Sequence, residues 1–350
     1  MKALVFHGAG KKSWEDVPHP AIQEPTDVIA KVDTTTICGT DLHILRGHVP
    51  AVSDGRVLGH EAVGTVTEVG GAVTDLAVGD RIIIPAVTSC GKCSYCKQSM
   101  PSHCQTLGGI GWVFGHLIDG TQAEFVRVPY AETSVHKVPP GLDDEDVLFL
   151  TDALPTGFEV GILNGRTQPG DSVAVIGVGP VGLGAIMTAG LCGAGQVIAV
   201  DMDENRMDKA LELGATHKVD ASRPDAAARI KALTPDGLGV DVAIEAVGIP
   251  ASFQTCIDVI RPGGTIANVG VHGAPVQLPL QDLWISNIAI TTGLVDCRTV
   301  GNLLNMVRSR RLNARAMATH HFALSEIGKA YEVFDAAARN RVIKVVLRAD

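Results

Sequence analysis

The alternation of apolar and polar positions changes character near residue 152. Before it, short β-type runs at 1–6, 27–32, 62–69, 81–85 and 123–128 are separated by turns rich in Gly, Pro and Asp, which predicts an irregular, mainly β region. After it, apolar runs at 172–176, 196–200, 217–219, 240–245, 264–270 and 288–293 alternate with helix-like stretches at 181–194, 204–213 and 224–233. Six short strands with interposed helices predict a doubly wound parallel sheet, so the fold class is α/β. Beyond 298, helical patterns over 302–310 and 324–338 precede a strand-like run at 342–347, whose expected place is back on the first region. The chain then reads as one split domain around one inserted domain.

One stretch needs separate treatment. Ser172 to Val200 contains no charged residue over 29 positions, longer than a membrane span needs, yet it holds seven glycines and a proline. A spanning helix does not tolerate those breaks, whereas a strand, a phosphate loop, a helix and a second strand account for each of them. Within it, Gly177-Val-Gly179-Pro180-Val181-Gly182 is a G-x-G-x-x-G that follows a strand and opens a helix. Gly177 makes the turn, Gly179 admits a pyrophosphate, Gly182 brings helix onto strand, and the helix N-terminus faces the phosphates. Asp201 ends the second strand 19 positions after Gly182, where a carboxylate accepts hydrogen bonds from a ribose 2′-OH and repels a 2′-phosphate. NAD is therefore expected over NADP, although Arg206, five residues on, is of a type that serves a phosphate.

Composition narrows the partners. Hydrophobic residues make up 46% of the 350 and charged ones 19%, enough apolar surface to offset the entropy of ordering two cores. The formal net charge of -9 disfavours nucleic acid and anionic membrane surfaces. The first ten residues carry one Lys and too short an apolar run for a secretory signal, which points to the cytoplasm. In that setting the eight cysteines read as metal ligands or buried thiols rather than disulfides. Four of them, Cys90, Cys93, Cys96 and Cys104, form C-x2-C-x2-C-x7-C, the spacing of a closed tetrahedral zinc site. With no open coordination position, such a site is expected to staple a lobe at about 88–106 that has little core of its own.

Three dispersed segments remain: Cys38-Gly-Thr40-Asp41-Leu-His43, Gly59-His60-Glu61, and Thr151-Asp152-Ala-Leu-Pro-Thr156. Taken singly, Cys38 reads as a buried thiol, His60 as a satisfied polar residue and Asp152 as a helix cap more readily than any of them reads as a ligand. Together with the cysteine quartet and the glycine fingerprint, they resemble the zinc-containing medium-chain alcohol dehydrogenases over essentially the whole chain.

The resemblance implies a mainly-β GroES-like catalytic domain at 1–152 and 294–350, a Rossmann NAD-binding domain at 153–293, and a reaction in the cleft between them. It implies a catalytic zinc on Cys38, His60 and Asp152. Many members have a second cysteine where this chain has Asp152, and the aspartate resembles the bacterial secondary-alcohol and formaldehyde dehydrogenase branches. Glu61 would approach the zinc during ligand exchange or stand behind its ligands, and Asp41 would hydrogen-bond the ligand histidine. Thr40 and His43 match the start and end of a proton path that runs by way of the cofactor ribose. Cofactor contacts are implied at Thr156, Gly177, Gly179, Pro180, Val181, Gly182, Asp201, Arg206, Val247, Val269 and Gly293, and pocket walls at Trp112 and Leu294. The implied activity is reversible hydride transfer between a primary or secondary alcohol and NAD, with two zinc ions per subunit. The implied assembly is a homotetramer or a dimer, with 288–293 as a dimer surface. Formaldehyde or polyol oxidation, and a non-enzymatic zinc-stapled dinucleotide sensor, stand as alternatives.

Overall fold

Residues 1–350 are all described by the computed structural model, in which the chain divides into two units, Met1–Asp152 with Asp296–Asp350, and Ala153–Val295. Leu294 and Val295 thus group with the second unit. The second unit is built on six parallel strands: β1 (Ser172–Ile176), β2 (Gln196–Asp201), β3 (His217–Asp220), β4 (Val240–Glu245), β5 (Ile260–Asn268) and β6 (Ala289–Thr292). Their order, β3-β2-β1-β4-β5-β6, is the doubly wound one, with the reversal between β1 and β4. Every residue of β1 is buried, as expected of a central strand covered on both faces. Its Ala174 and Ile176 pack in one cluster with Ile198, Val200, Ile230 and Phe253.

The long uncharged stretch is β1, a glycine loop, the helix Pro180–Ala189 and β2, and no helix is long and apolar enough to cross a membrane. Two differences from the sequence expectation bear on β5. The helix Pro250–Val259, between β4 and β5, has no counterpart in the predicted elements. It runs into β5 without a loop, so β5 begins at Ile260 rather than at 264. Pro262-Gly263-Gly264 looks like a turn in sequence, but a register irregularity between Val240 and Val242 accommodates it inside the ladder.

In the first unit a seven-stranded sheet runs Ala318–Ala323, Lys344–Arg348, Val28–Thr36, Ala62–Val69, Arg81–Ile84 and His136–Lys137, with Phe125–Val128 also pairing Val28–Thr36. The strand Lys344–Arg348 pairs antiparallel with Val28–Thr36 through Val346 opposite Thr36, so the C-terminal segment does return to the first region. A second sheet joins Lys12–Asp16, Lys2–Phe6 and Arg56–Val57. The outer strands Lys12–Asp16 and Ala318–Ala323 have no counterpart among the predicted elements. Both lie at sheet edges and lack buried residues, which removes the apolar alternation that marks a strand.

Gly182 is where the fingerprint is most constrained: a Cβ there would lie 2.0 Å from the Gly177 carbonyl oxygen. Gly182→Ala should therefore cost about 1–3 kcal/mol by overpacking, read as an earlier midpoint in urea unfolding.

Candidate metal and cofactor sites

Cys38 immediately precedes the helix Gly39–Leu45, which carries Thr40, Asp41 and His43 in its first two turns. Asp41 accepts a hydrogen bond from the Cys38 amide at 2.9 Å, fixing the chain at the helix entrance. His60 and Glu61 follow Gly59, whose φ of +91° allows the turn into the strand Ala62–Val69. Asp152 is the last residue of the first unit's N-terminal part, so all of these side chains belong to one unit.

They converge. One donor atom from each of Cys38, His60, Glu61 and Asp152 lies within 4.8 Å of the others. The Cys38 sulfur and the His60 Nε2 are each 3.5 Å from Asp152 Oδ2. Tetrahedral bonds of about 2.0–2.3 Å place ligand atoms about 3.3–3.8 Å apart, so the set fits a zinc ion. On the other side of the imidazole, His60 Nδ1 faces Asp41 Oδ1 at 3.6 Å, and neither atom has another partner. That leaves Nε2 directed at the cluster.

The electrostatics agree with a cation. Burial, then the Asp152 charge, raises the Cys38 thiol. Burial opposes charging His60, but its contacts with Asp152, Asp41 and Cys38 together outweigh this and raise it well above the ordinary value. Left to themselves these groups hold protons, and a divalent ion replaces protons in such a set.

Two residues absent from the sequence prediction complete the surroundings. The buried Lys344 donates to Glu61 Oε1 at 2.7 Å and to the Ile37 carbonyl at 3.1 Å, while Thr151 Oγ1 donates to Glu61 Oε2 at 3.2 Å. Burial lowers the lysine's pKa, but the charges of Glu61, Cys38 and Asp152 outweigh it, so Lys344 stays a cation. Its only sequence signal is a lone charge inside the apolar run Val342 to Leu347. Trp112 lies edge-on to His60, with centroids 6.1 Å apart, and stacks on His116. Thr40 and His43 are half-buried and three residues apart on their helix, hence on one face. His43 Nδ1 contacts His48 Nδ1 at 3.2 Å.

The cysteine quartet forms a second cluster with sulfurs within 4.8 Å of one another. Cys93 and Cys96 are 3.5 Å apart, and Cys90 and Cys96 4.0 Å. Backbone N–H groups of Lys92 and Cys93 point at the Cys90 sulfur, that of Cys90 at Cys104, and that of Gln105 at Cys93, each at 3.4 Å. Amide donation, first from Cys96, pulls the Cys93 thiol down to about 6, whereas burial and then Cys93 push Cys96 up to about 12. Thiolate formation is favoured at one sulfur and resisted at its neighbour, the conflict that a shared cation resolves.

In the second unit, the expected cofactor positions gather at the carboxyl ends of strands, where ligands of doubly wound sheets bind. Gly177 to Gly182 follow β1, Asp201 ends β2, Val247 is two residues past β4, Val269 follows β5 and Gly293 follows β6. Gly177 adopts φ +91°, and a Cβ on Gly179 would find only Arg206 Nη1, at 3.9 Å, so the loop is open to a phosphate. Asp201 Oδ2 accepts from the Val178 amide at 2.8 Å, and Oδ1 from Met202 and Asp203, which pins the carboxylate beside that loop. Thr156 stands at the head of this unit, in the short helix Ala153–Thr156, and Leu294 is exposed near its end.

Residues 24–140 match the alcohol dehydrogenase GroES-like domain, and 180–307 the zinc-binding dehydrogenase domain. An alcohol dehydrogenase of Cupriavidus necator is 37% identical, with 99% of this chain and 98% of the relative covered. The chain belongs to the zinc-containing medium-chain alcohol dehydrogenases.

The solved zinc-dependent alcohol dehydrogenase 2 from Streptococcus pneumonia, in its apo form, superposes with a TM-score of 0.95 at 48% identity, covering 100% of this chain and 99% of that one. An NADP-dependent isopropanol dehydrogenase of Thermoanaerobacter brockii is 33% identical, with both chains covered in full. For the quartet, Cys93→Ser should lose one zinc per subunit and lower Tm by about 5–10 °C, as expected if the staple contributes about 2–3 kcal/mol. Metal analysis and calorimetry check this, and a variant that lacks one zinc yet melts like the parent contradicts the staple.

Proposed function

We propose that this member of the family is an NAD-linked, zinc-dependent alcohol dehydrogenase in which the first unit is catalytic and the second holds the cofactor. The observation that carries the reading is the convergence of Cys38, His60, Glu61 and Asp152 within 4.8 Å, beside a helix bearing a hydroxyl and a histidine on one face. Cys38, His60 and Asp152 would hold the zinc. When bound, zinc supplies Lewis acidity toward an alcohol or carbonyl oxygen, and the nicotinamide cofactor is the hydride carrier.

The chain's own groups then have defined tasks. Asp41 holds the His60 ring so that Nδ1–H faces the carboxylate and Nε2 stays free to ligate. Lys344 and Thr151 keep the Glu61 carboxylate compensated behind the ligands, where it can approach them during ligand exchange. Thr40 Oγ1 passes its own proton on as it accepts that of the substrate hydroxyl, and His43 is the terminal acceptor that delivers it to water. Burial, then His48 and Arg46, hold the pKa of His43 below its ordinary value, so the ring is neutral and able to accept at pH 7.

Gly177, Gly179, Pro180, Val181 and Gly182 are assigned to the cofactor phosphates, Asp201 to the adenosine ribose, and Thr156, Val247, Val269 and Gly293 to the nicotinamide half. Arg206 lies beside the phosphate loop, while Asp201 disfavours a 2′-phosphate there. We further infer a cytoplasmic homotetramer. A reducing compartment keeps the eight cysteines as thiols. The open edge of β6 and the nearby exposed Trp284, Ile285 and Ile290 offer a surface to a second copy, and sedimentation of the holoenzyme reads the subunit number.

His60→Ala or Cys38→Ser should lose about a thousandfold or more in kcat, about 4 kcal/mol, together with one zinc per subunit, while NADH fluorescence still reports cofactor binding. Full turnover in either variant removes the assignment. A kinetic panel of primary, secondary, polyol and hydroxymethyl-type substrates should show NAD preferred to NADP by about tenfold or more in kcat/KM, about 1.4 kcal/mol. Equal use of NADP contradicts the Asp201 reading, and a panel in which no alcohol reduces either cofactor contradicts the enzyme reading.

A further inference from the structure

Bonded to Asp41 through Oδ2, the oxygen that does not face His60, lies a buried polar chain that neither the motifs nor the proposed reaction uses. Tyr331, on the helix Ile327–Asp335, donates its hydroxyl to Gln122 Oε1 at 2.8 Å. Gln122 is fully buried, and its Nε2 donates to Asp41 Oδ2 and to the Thr36 carbonyl, both at 3.1 Å. The Asp41 carboxylate and the Thr36 carbonyl only accept, so the amide cannot be reversed without setting Oε1 against both of them. Asp41 Oδ2 is thereby saturated by Gln122 and the Cys38 amide, which leaves Oδ1 to face His60.

A separate set of contacts leads to the same histidine. Gln122 N donates to the Leu58 carbonyl at 2.9 Å, and Thr121 N to that of Gly59 at 3.0 Å. Thr121 Oγ1 donates to the Glu61 carbonyl at 3.2 Å. A Cβ on Gly59 would stand 2.6 Å from Gln122 Cγ and 2.7 Å from its backbone nitrogen. The backbone around Gln122 thus clamps the loop that carries His60, while its side chain orients the carboxylate facing the ring.

We propose that Gln122 and Tyr331 are positioning residues of the metal centre, holding His60 in the orientation and tautomer that ligate zinc from two layers behind it. The proposal rests on the reading of Cys38, His60 and Asp152 as the zinc ligands. A bond to a ligand's own partner restricts ring rotation, so loosening this chain weakens the metal without removing a donor atom.

The test is zinc release from the holoenzyme to a chelator, followed for wild type, Gln122→Met, Tyr331→Phe and His60→Ala, with the quartet's zinc as an internal reference. Replacing the released ion with Co²⁺ adds a visible spectrum that reports coordination geometry at the emptied site. Gln122→Met should weaken one zinc per subunit by about tenfold and shift the Co²⁺ bands, with the second zinc unchanged. Tyr331→Phe, which keeps the ring and its packing, should move both readouts in the same direction by less, and it serves should the glutamine variant fail to fold. A purely structural role would lower Tm while leaving the affinity and bands as in wild type, and that result overturns the proposal, as does equal weakening of both zincs. If His60→Ala retains both zincs, the metal-centre reading falls and takes the proposal with it. If His60→Ala loses one while the other two variants match wild type, only the positioning role falls.

Discussion

Acidic groups crowded together and cut off from water are the condition to which most of the first unit responds. Cys38, Asp41, Glu61 and Asp152 surround one imidazole, and the two inner carboxylates, Asp41 and Glu61, are buried. A charge without water needs a counter-charge or directed donors, since uncompensated burial costs several kcal/mol per ion. The fold answers with two fixed compensations: Lys344 against Glu61, and the Cys38 amide with Gln122 against Asp41. On the reading proposed above, the balance between Cys38 and Asp152 is left to a metal ion.

The quartet meets the same difficulty on a smaller scale and nearer the surface. Its compensation comes from backbone amides of the loop itself, with Thr106 donating to Cys90 at 3.1 Å. Because these donors and sulfurs all lie between Cys90 and Thr106, this site needs little from the rest of the fold. The cluster around His60 draws on segments from residue 37 to residue 344. One arrangement suits a staple and the other a reaction centre, where the environment of each ligand has to be set individually.

What was legible in the sequence follows this contrast between local and distant. The quartet, the glycine fingerprint and Cys38 to His43 lie within single turns or loops, so their spacing encodes their geometry. The central strands β1 and β4 are covered on both faces and read as apolar runs with the observed limits. The edge strands Lys12–Asp16 and Ala318–Ala323 could not be read that way, because polar exposed positions erase the period of two. Lys344, Gln122 and Tyr331 were invisible for another reason: their partners lie 283, 81 and 209 positions away, and no window of sequence holds both ends.

The strand Lys344–Arg348 carries a consequence for how the molecule is made. Cys38, His60 and Asp152 are synthesised before the lysine that pairs with Glu61, which follows Asp152 by about 190 residues, on the order of 10–40 s later at 5–20 residues per second. The nascent chain can complete the quartet from fifteen consecutive residues long before that. The two clusters therefore face different timetables: the quartet has all four sulfurs once Cys104 is made, whereas the surroundings of Glu61 are complete only when Lys344–Arg348 pairs with Val28–Thr36.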